Sequence, residues 1–142
     1  MADLLPLVTL VGEAWDDYGL VDSGNGRKLE RYGRYRFIRP EPQAMWAPAL
    51  PTSEWEQAVG EFIPASDDDG GGRWYYNKPV PAEGWPLAWR EARFTASCTP
   101  FRHLGFFPDM APVWDWLRDQ VADKADPAFL HLFRYNGVGR PA

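Results

Sequence analysis

The sequence predicts an α+β chain: a β-rich N-terminal domain of antiparallel strands with a short helix, then an amphipathic helix and the first strand of an incomplete parallel α/β domain. Three observations carry this expectation. Phe, Trp and Tyr make up 15% of the 142 residues, eight of them Trp, alongside fourteen Pro and thirteen Gly. Such a mixture favours many short elements joined by tight turns over long helices. Met110, Val113, Trp114, Leu117 and Val121 follow one another at i, i+3, i+4, i+7 and i+11, the apolar stripe of a helix of about three to four turns. Finally, Ala128 to Phe133 is apolar on both sides of the pleat, as in a strand covered on both faces. The expected division is 1–98 for the β-rich domain and 99–142 for a loop, the helix and the closing strand.

In chain order, Leu4 to Val11 is apolar and β-branched at Val8, Thr9 and Val11, hence a strand, with Gly12 and Asp16-Asp17 marking its exit. Tyr18 to Asp22 forms a second short strand. Ser23-Gly24-Asn25-Gly26 is a turn, since Asn-Gly accepts positive φ at both central positions of a type I′ hairpin. Leu29 to Arg39 returns as a strand, broken or bulged at Gly33, with Arg34, Arg36 and Ile38 on one face and Tyr35, Phe37 and Arg39 on the other. Pro40 and Pro42 end it. Ser53 and Glu56 have the spacing of a capping box, worth about 1 kcal/mol. They would open a helix striped by Trp55, Val59 and Phe62 and ended by Gly60 and Pro64. Arg73 to Asn77 is a strand. Pro79, Pro81, Gly84 and Pro86 make the next segment irregular, with Trp85 and Trp89 anchoring it. Trp89 to Ser97 gives one more strand. Asp109 is the expected N-cap of the second helix, Pro112 is tolerable in its first turn, and Asp126-Pro127 ends it.

Composition excludes several functions. The net charge is −5, against a globally basic nucleic-acid binder. Charge is uneven, however: Arg27, Lys28, Arg31, Arg34, Arg36 and Arg39 face a single acid, Glu30, within one stretch, and local patches set the field felt by a polyanion. Cys98 is alone, so no intramolecular disulfide and no cysteine-based metal cluster can form, which suits a reducing cytoplasm. Met1-Ala2-Asp3 lacks the basic start of a signal peptide, and no apolar run is long enough to span a bilayer. Asp67-Asp68-Asp69 followed by three Gly is a solvated loop tip more readily than a cation loop, whose ligands must be spaced around the ion. No metal is expected. His131 is expected in the core, and His103 in a hydrogen-bonded loop. No catalytic residue is assigned.

Four stretches together resemble a known family. Asp22-Ser23-Gly24-Asn25-Gly26-Arg27-Lys28-Leu29-Glu30-Arg31-Tyr32-Gly33, Arg39-Pro40-Glu41-Pro42-Gln43-Ala44-Met45-Trp46, Phe101-Arg102-His103-Leu104-Gly105-Phe106-Phe107-Pro108-Asp109 and Leu132-Phe133-Arg134-Tyr135-Asn136-Gly137 look like successive blocks of bacterial class I S-adenosylmethionine (SAM)-dependent methyltransferases, especially the large-subunit ribosomal RNA methyltransferase group. Asn136 stands where that family usually has Thr, Arg134 where it has a small residue, and Met110 where Gln is common. The resemblance implies a β-rich N-terminal domain followed by a Rossmann-like catalytic domain, here truncated at the first cofactor-binding motif. It also implies SAM as the parent enzyme's cofactor, with Phe133, Tyr135, Asn136 and Gly137 in that motif and Phe101, Arg102, His103, Gly105 and Asp109 in a loop over the same cofactor. RNA would be the partner, its phosphates held by Arg27, Lys28, Arg31, Arg34 and Arg36. The chain alone is expected to be inactive and cytoplasmic, without membrane association. Its closing strand, lacking neighbours, is expected to promote self-association. The alternative is a free-standing RNA- or protein-binding β module.

Overall fold

A computed structural model describes residues 6–66, 71–128 and 130. Its elements run β1 (Tyr18–Gly24), β2 (Arg27–Tyr32), β3 (Tyr35–Pro40), α1 (Thr52–Trp55), β4 (Gly60–Pro64), β5 (Gly72–Tyr76), β6 (Trp85–Trp89), β7 (Ala92–Ala96), a 3-10 turn (Pro108–Met110) and α2 (Ala111–Val121). The first five strands form one sheet in the order β1-β2-β3-β4-β5, and β6 and β7 form a separate ribbon. The larger sheet is mixed. All its pairs are antiparallel except β3 and β4, which run parallel. An all-antiparallel sheet was expected. A parallel neighbour requires a long crossover, and residues 41–59 supply it, with α1 inside.

Turn chemistry explains the first two reversals. Asn25 and Gly26 have φ of 51° and 74°, both positive as a type I′ turn demands, so that prediction holds. Gly33, with φ of 62°, opens a second two-residue turn, in which positive φ at the first central position marks type II′. Tyr32 therefore pairs with Tyr35, and Arg31 with Arg36. The expected single strand Leu29–Arg39 is two strands folded back on each other.

Three other expectations change for physical reasons. The described part of Leu4–Val11 has no regular structure, and Leu7, Val8 and Val11 are exposed. Its β-branched side chains satisfy a propensity, but among the described residues no strand lies beside it to complete a ladder. Helix α1 is a single turn that starts after Pro51, with no side-chain cap, and Ser53 lies inside it. Val59 and Phe62 are not on that helix: Gly60 begins β4, packed between Phe37 and Tyr76. Trp89 to Ser97 is not one strand either, because the chain reverses at Arg90, a non-glycine residue with φ of 49°. Trp85 lies in a strand whose Pro86 pairs with Thr95; a two-stranded ribbon has only edges, where a missing donor is tolerated.

Two cores hold the sheet. On one face Tyr32, Tyr35, Phe37 and Val59 meet Trp85, Leu87 and Trp89 of the ribbon, together with Trp15, Leu104, Phe106 and Ala111. Phe37 stacks on Trp85 at 5.5 Å and 14°. On the other face Leu29 and Ile38 meet Trp55 and Ala58 of the crossover. Helix α2 begins without a side-chain cap, and Asp109 is in the preceding 3-10 turn instead of capping it. Pro112 does fall in its first turn, as expected. Only Ala111 of α2 is buried, so its apolar stripe is half-covered within the described residues. A bidentate contact from Arg90 to Asp115, with oxygen distances of 2.7 and 2.8 Å, ties α2 to the ribbon. Of the closing strand, only Ala128 and Leu130 are described and neither is in a ladder; the rest, with His131, and Asp67–Asp69 lie outside the described residues.

Candidate functional site

The site starts from an acid in an apolar place. Strand alternation puts Lys28, Glu30 and Tyr32 on the same face of β2, opposite Arg39, Phe37 and Tyr35 of β3. Glu30 is completely buried. A buried carboxylate is stable only when charge and hydrogen bonds replace its water. Arg39 supplies both, donating through Nε to Oε2 at 2.6 Å and through Nη2 to Oε1 at 2.9 Å. Tyr18 adds its hydroxyl to Oε1 at 2.8 Å, and the Arg39 guanidinium lies over the Tyr32 ring, 5.8 Å from its centroid. Burial pushes the Tyr18 and Tyr32 hydroxyls well above the usual phenol range, and the Glu30 charge pushes them further. Burial opposes the Arg39 charge, yet the bonds to Glu30 outweigh it and hold the guanidinium protonated.

One guanidinium nitrogen faces the other way. Arg39 Nη1 donates to the carbonyl oxygen of Arg102 at 2.9 Å, in the loop that leads from β7 to α2. That loop is shaped by its own short bonds. Ser97 N–H donates to Leu104 O at 3.1 Å, Thr99 Oγ1 to His103 O at 2.8 Å, and Gly105 N–H to His103 Nδ1 at 3.1 Å. Trp74 Nε1 donates to Thr99 O at 2.8 Å. Leu104, Phe106 and Pro108 point into the core, whereas Phe101 and Phe107 are exposed. Their rings flank His103, with centroids 6.0 Å and 5.3 Å from it. Desolvation, and then the Arg39 charge, depress the His103 imidazole below its ordinary value. Neutral Nδ1 is the acceptor that the Gly105 N–H needs.

Phe101, Arg102, His103, Gly105 and Asp109 are thus gathered into one loop, with Asp109 exposed at its end. Phe133, Tyr135, Asn136 and Gly137 lie outside the described residues. The basic residues are dispersed among partners. Arg27 pairs with Glu61 at 3.1 Å, Lys28 with Glu41 at 3.3 Å and Arg36 with Glu54 at 2.8 Å. Arg31 donates to the carbonyls of Asp16 and Trp15, and Arg34 to the Tyr35 hydroxyl at 2.6 Å. Glu30 and Tyr18 were not expected in a site, and Arg39 was expected only as part of the basic stretch. Their signal was present: an Arg sharing a face with Tyr35 and Phe37 needs a buried acid, and Glu30 was the acid at hand.

No family model matches the sequence, and no curated protein matches it. Among solved structures, a SAM-dependent methyltransferase from Agrobacterium tumefaciens is similar, with a TM-score of 0.75 and 42% identity over 85% of this chain. The likeness supports the methyltransferase class. This chain spans 38% of the length of that protein. Among the described residues, no helix is long and apolar enough to cross a membrane.

Proposed function

We propose that the chain is the N-terminal, substrate-side portion of a SAM-dependent methyltransferase, in which loop 101–109 forms part of the cofactor wall. The observation that carries this reading is the 42% identity, at a TM-score of 0.75, to a methyltransferase over 85% of the chain. The loop chemistry fits. The exposed rings of Phe101 and Phe107 beside His103 suit a planar base or a sulfonium cation, both of which favour aromatic faces. When bound, SAM supplies an electrophilic methyl group. What these residues would contribute is an apolar, partly dehydrated wall, fixed by buried Leu104 and Phe106 and by the bond from Arg39. Phe133, Tyr135, Asn136 and Gly137 would complete that wall, by the sequence resemblance.

The finer reading takes ribosomal RNA as the methyl acceptor. It rests on the resemblance of the sequence blocks and on the basic run Arg27 to Arg36. The acids Glu41, Glu54 and Glu61 already engage Lys28, Arg36 and Arg27, so phosphates would have to displace them. Calorimetric titration of the purified chain with SAM tests the cofactor reading, and saturable binding weakened by Gly137→Val is the expected result. No heat above dilution would overturn it. Labelled SAM should give no methyl transfer, since the chain spans 38% of its neighbour; turnover lost on Gly137→Val would contradict that. For RNA, affinity should fall steeply between two salt concentrations, and salt-independent binding would remove the phosphate contacts.

A further inference from the structure

We propose that Arg39 is a positioning residue for loop 101–109: Glu30 aims its guanidinium, and the remaining nitrogen fixes the Arg102 carbonyl and thereby the Phe101–His103 pair. The inference rests on the reading of that loop as a cofactor wall. Three features carry it. Both Glu30 oxygens accept from Arg39, at 2.6 and 2.9 Å, so the planar fork has one orientation. Nη1 then reaches Arg102 O at 2.9 Å, a contact between residues 63 positions apart in sequence. Finally, Arg102 lies between the two rings stacked at 18°, Phe101 and His103. A carbonyl held there fixes the peptide plane between Arg102 and His103, and so the backbone from which the imidazole leaves to stack on Phe101. Arginine is suited to the task because its rigid fork can serve a carboxylate and a carbonyl at once. A lysine ammonium is a point charge that keeps the ion pair but not both directions.

The test uses the whole chain with Arg39→Lys, and Glu30→Asp as a second variant that retains the charge while drawing the guanidinium back. NMR hydrogen exchange at Gly105, whose N–H is bonded to His103, reports the loop. The Trp55 indole, on the opposite face of the sheet, reports the fold. Expected for either variant is at least tenfold faster exchange at Gly105 with the Trp55 signal unchanged, and a roughly tenfold weaker SAM affinity by calorimetry. Unchanged Gly105 exchange in a folded variant overturns the proposal. If wild-type chain binds no SAM, the cofactor reading fails, and the exchange experiment still decides the tether. Should both variants unfold, the wild type is read directly. A slowly exchanging Arg39 guanidinium proton with a nuclear Overhauser contact to Phe101 or His103 supports the tether, and absence of such a contact overturns it.

Discussion

Trp55 Nε1 donates to Asp22 Oδ2 at 2.9 Å, joining the first hairpin to the one-turn helix of the crossover. The same carboxylate accepts the N–H groups of Leu50 at 2.9 Å, Ala49 at 3.2 Å and Ser23 at 2.9 Å. One acid therefore organises the chain that carries β3 over to β4. Asp22→Ala should destabilise the fold by about 3 kcal/mol, the range for losing bonds to a charged group and stranding buried donors. Urea denaturation checks it.

Asp22 also sets an acid limit. Burial works against its charge, but the donors from Leu50, Trp55, Ala49 and Ser23 prevail and hold its carboxyl below the usual carboxylate range. A group depressed in the folded state contributes stability that is fully present above its unfolded value and is lost as pH falls through the folded one. Wild-type chain should therefore lose stability below about pH 4, and Asp22→Asn should flatten that part of the profile. Denaturation midpoints across pH measure it.

Glu30→Gln should cost about 3–5 kcal/mol, because Arg39 is left buried with an uncompensated charge. The double variant Glu30→Leu with Arg39→Met should recover most of that loss, since apolar groups of similar volume can replace a buried pair. It should nonetheless keep the fast Gly105 exchange of an untethered loop. Thermal denaturation with the exchange experiment separates the two effects.

Gly72→Ala should be more harmful than Gly26→Ala. A Cβ on Gly72 would run into the Ile63 carbonyl oxygen and approach the Phe62 ring to 2.6 Å, whereas one on Gly26 meets nothing within 4 Å. Overpacking of this kind costs about 1–3 kcal/mol or more. The Gly26 change pays only for its left-handed backbone, about 1–2 kcal/mol. Paired melting curves give the ranking.

His103 should titrate below pH 6.5, the ordinary imidazole value, since desolvation and Arg39 both disfavour its cation. Its stabilising contribution is present above that value and fades as pH falls through the folded one, when the proton displaces the Gly105 N–H from Nδ1. Imidazole NMR in a His131→Gln background isolates the signal. A value above 6.5 would contradict the burial and charge arguments together.

Local chemistry made part of this legible in the sequence. Asn25-Gly26 admits few conformations, so its turn could be read directly, and Phe101 to Asp109 announced itself as a loop before a helix. Gly33 was ambiguous because positive φ serves a bulge or a complete reversal equally well, and only the pairing of Tyr32 with Tyr35 decides. Trp55, Val59 and Phe62 have helical spacing, but Gly60 fits between Phe37 and Tyr76 in a way no single stretch reveals. The basic run looked unpaired along the chain because Glu54 and Glu61 arrive from the crossover and β4. Long-range partners are what a linear reading cannot weigh.

The parallel seam between β3 and β4 has a kinetic consequence. Strands β1 to β3 are joined by two-residue turns and can zip up within microseconds, as β4 and β5 can on their own side. The seam itself, at Phe37–Gly60 and Ile38–Glu61, forms only after residues 41–59 have been drawn into a closed path, with the entropy loss that entails. Assembly of this protein should therefore end there, with two preformed hairpin units meeting along a narrow line.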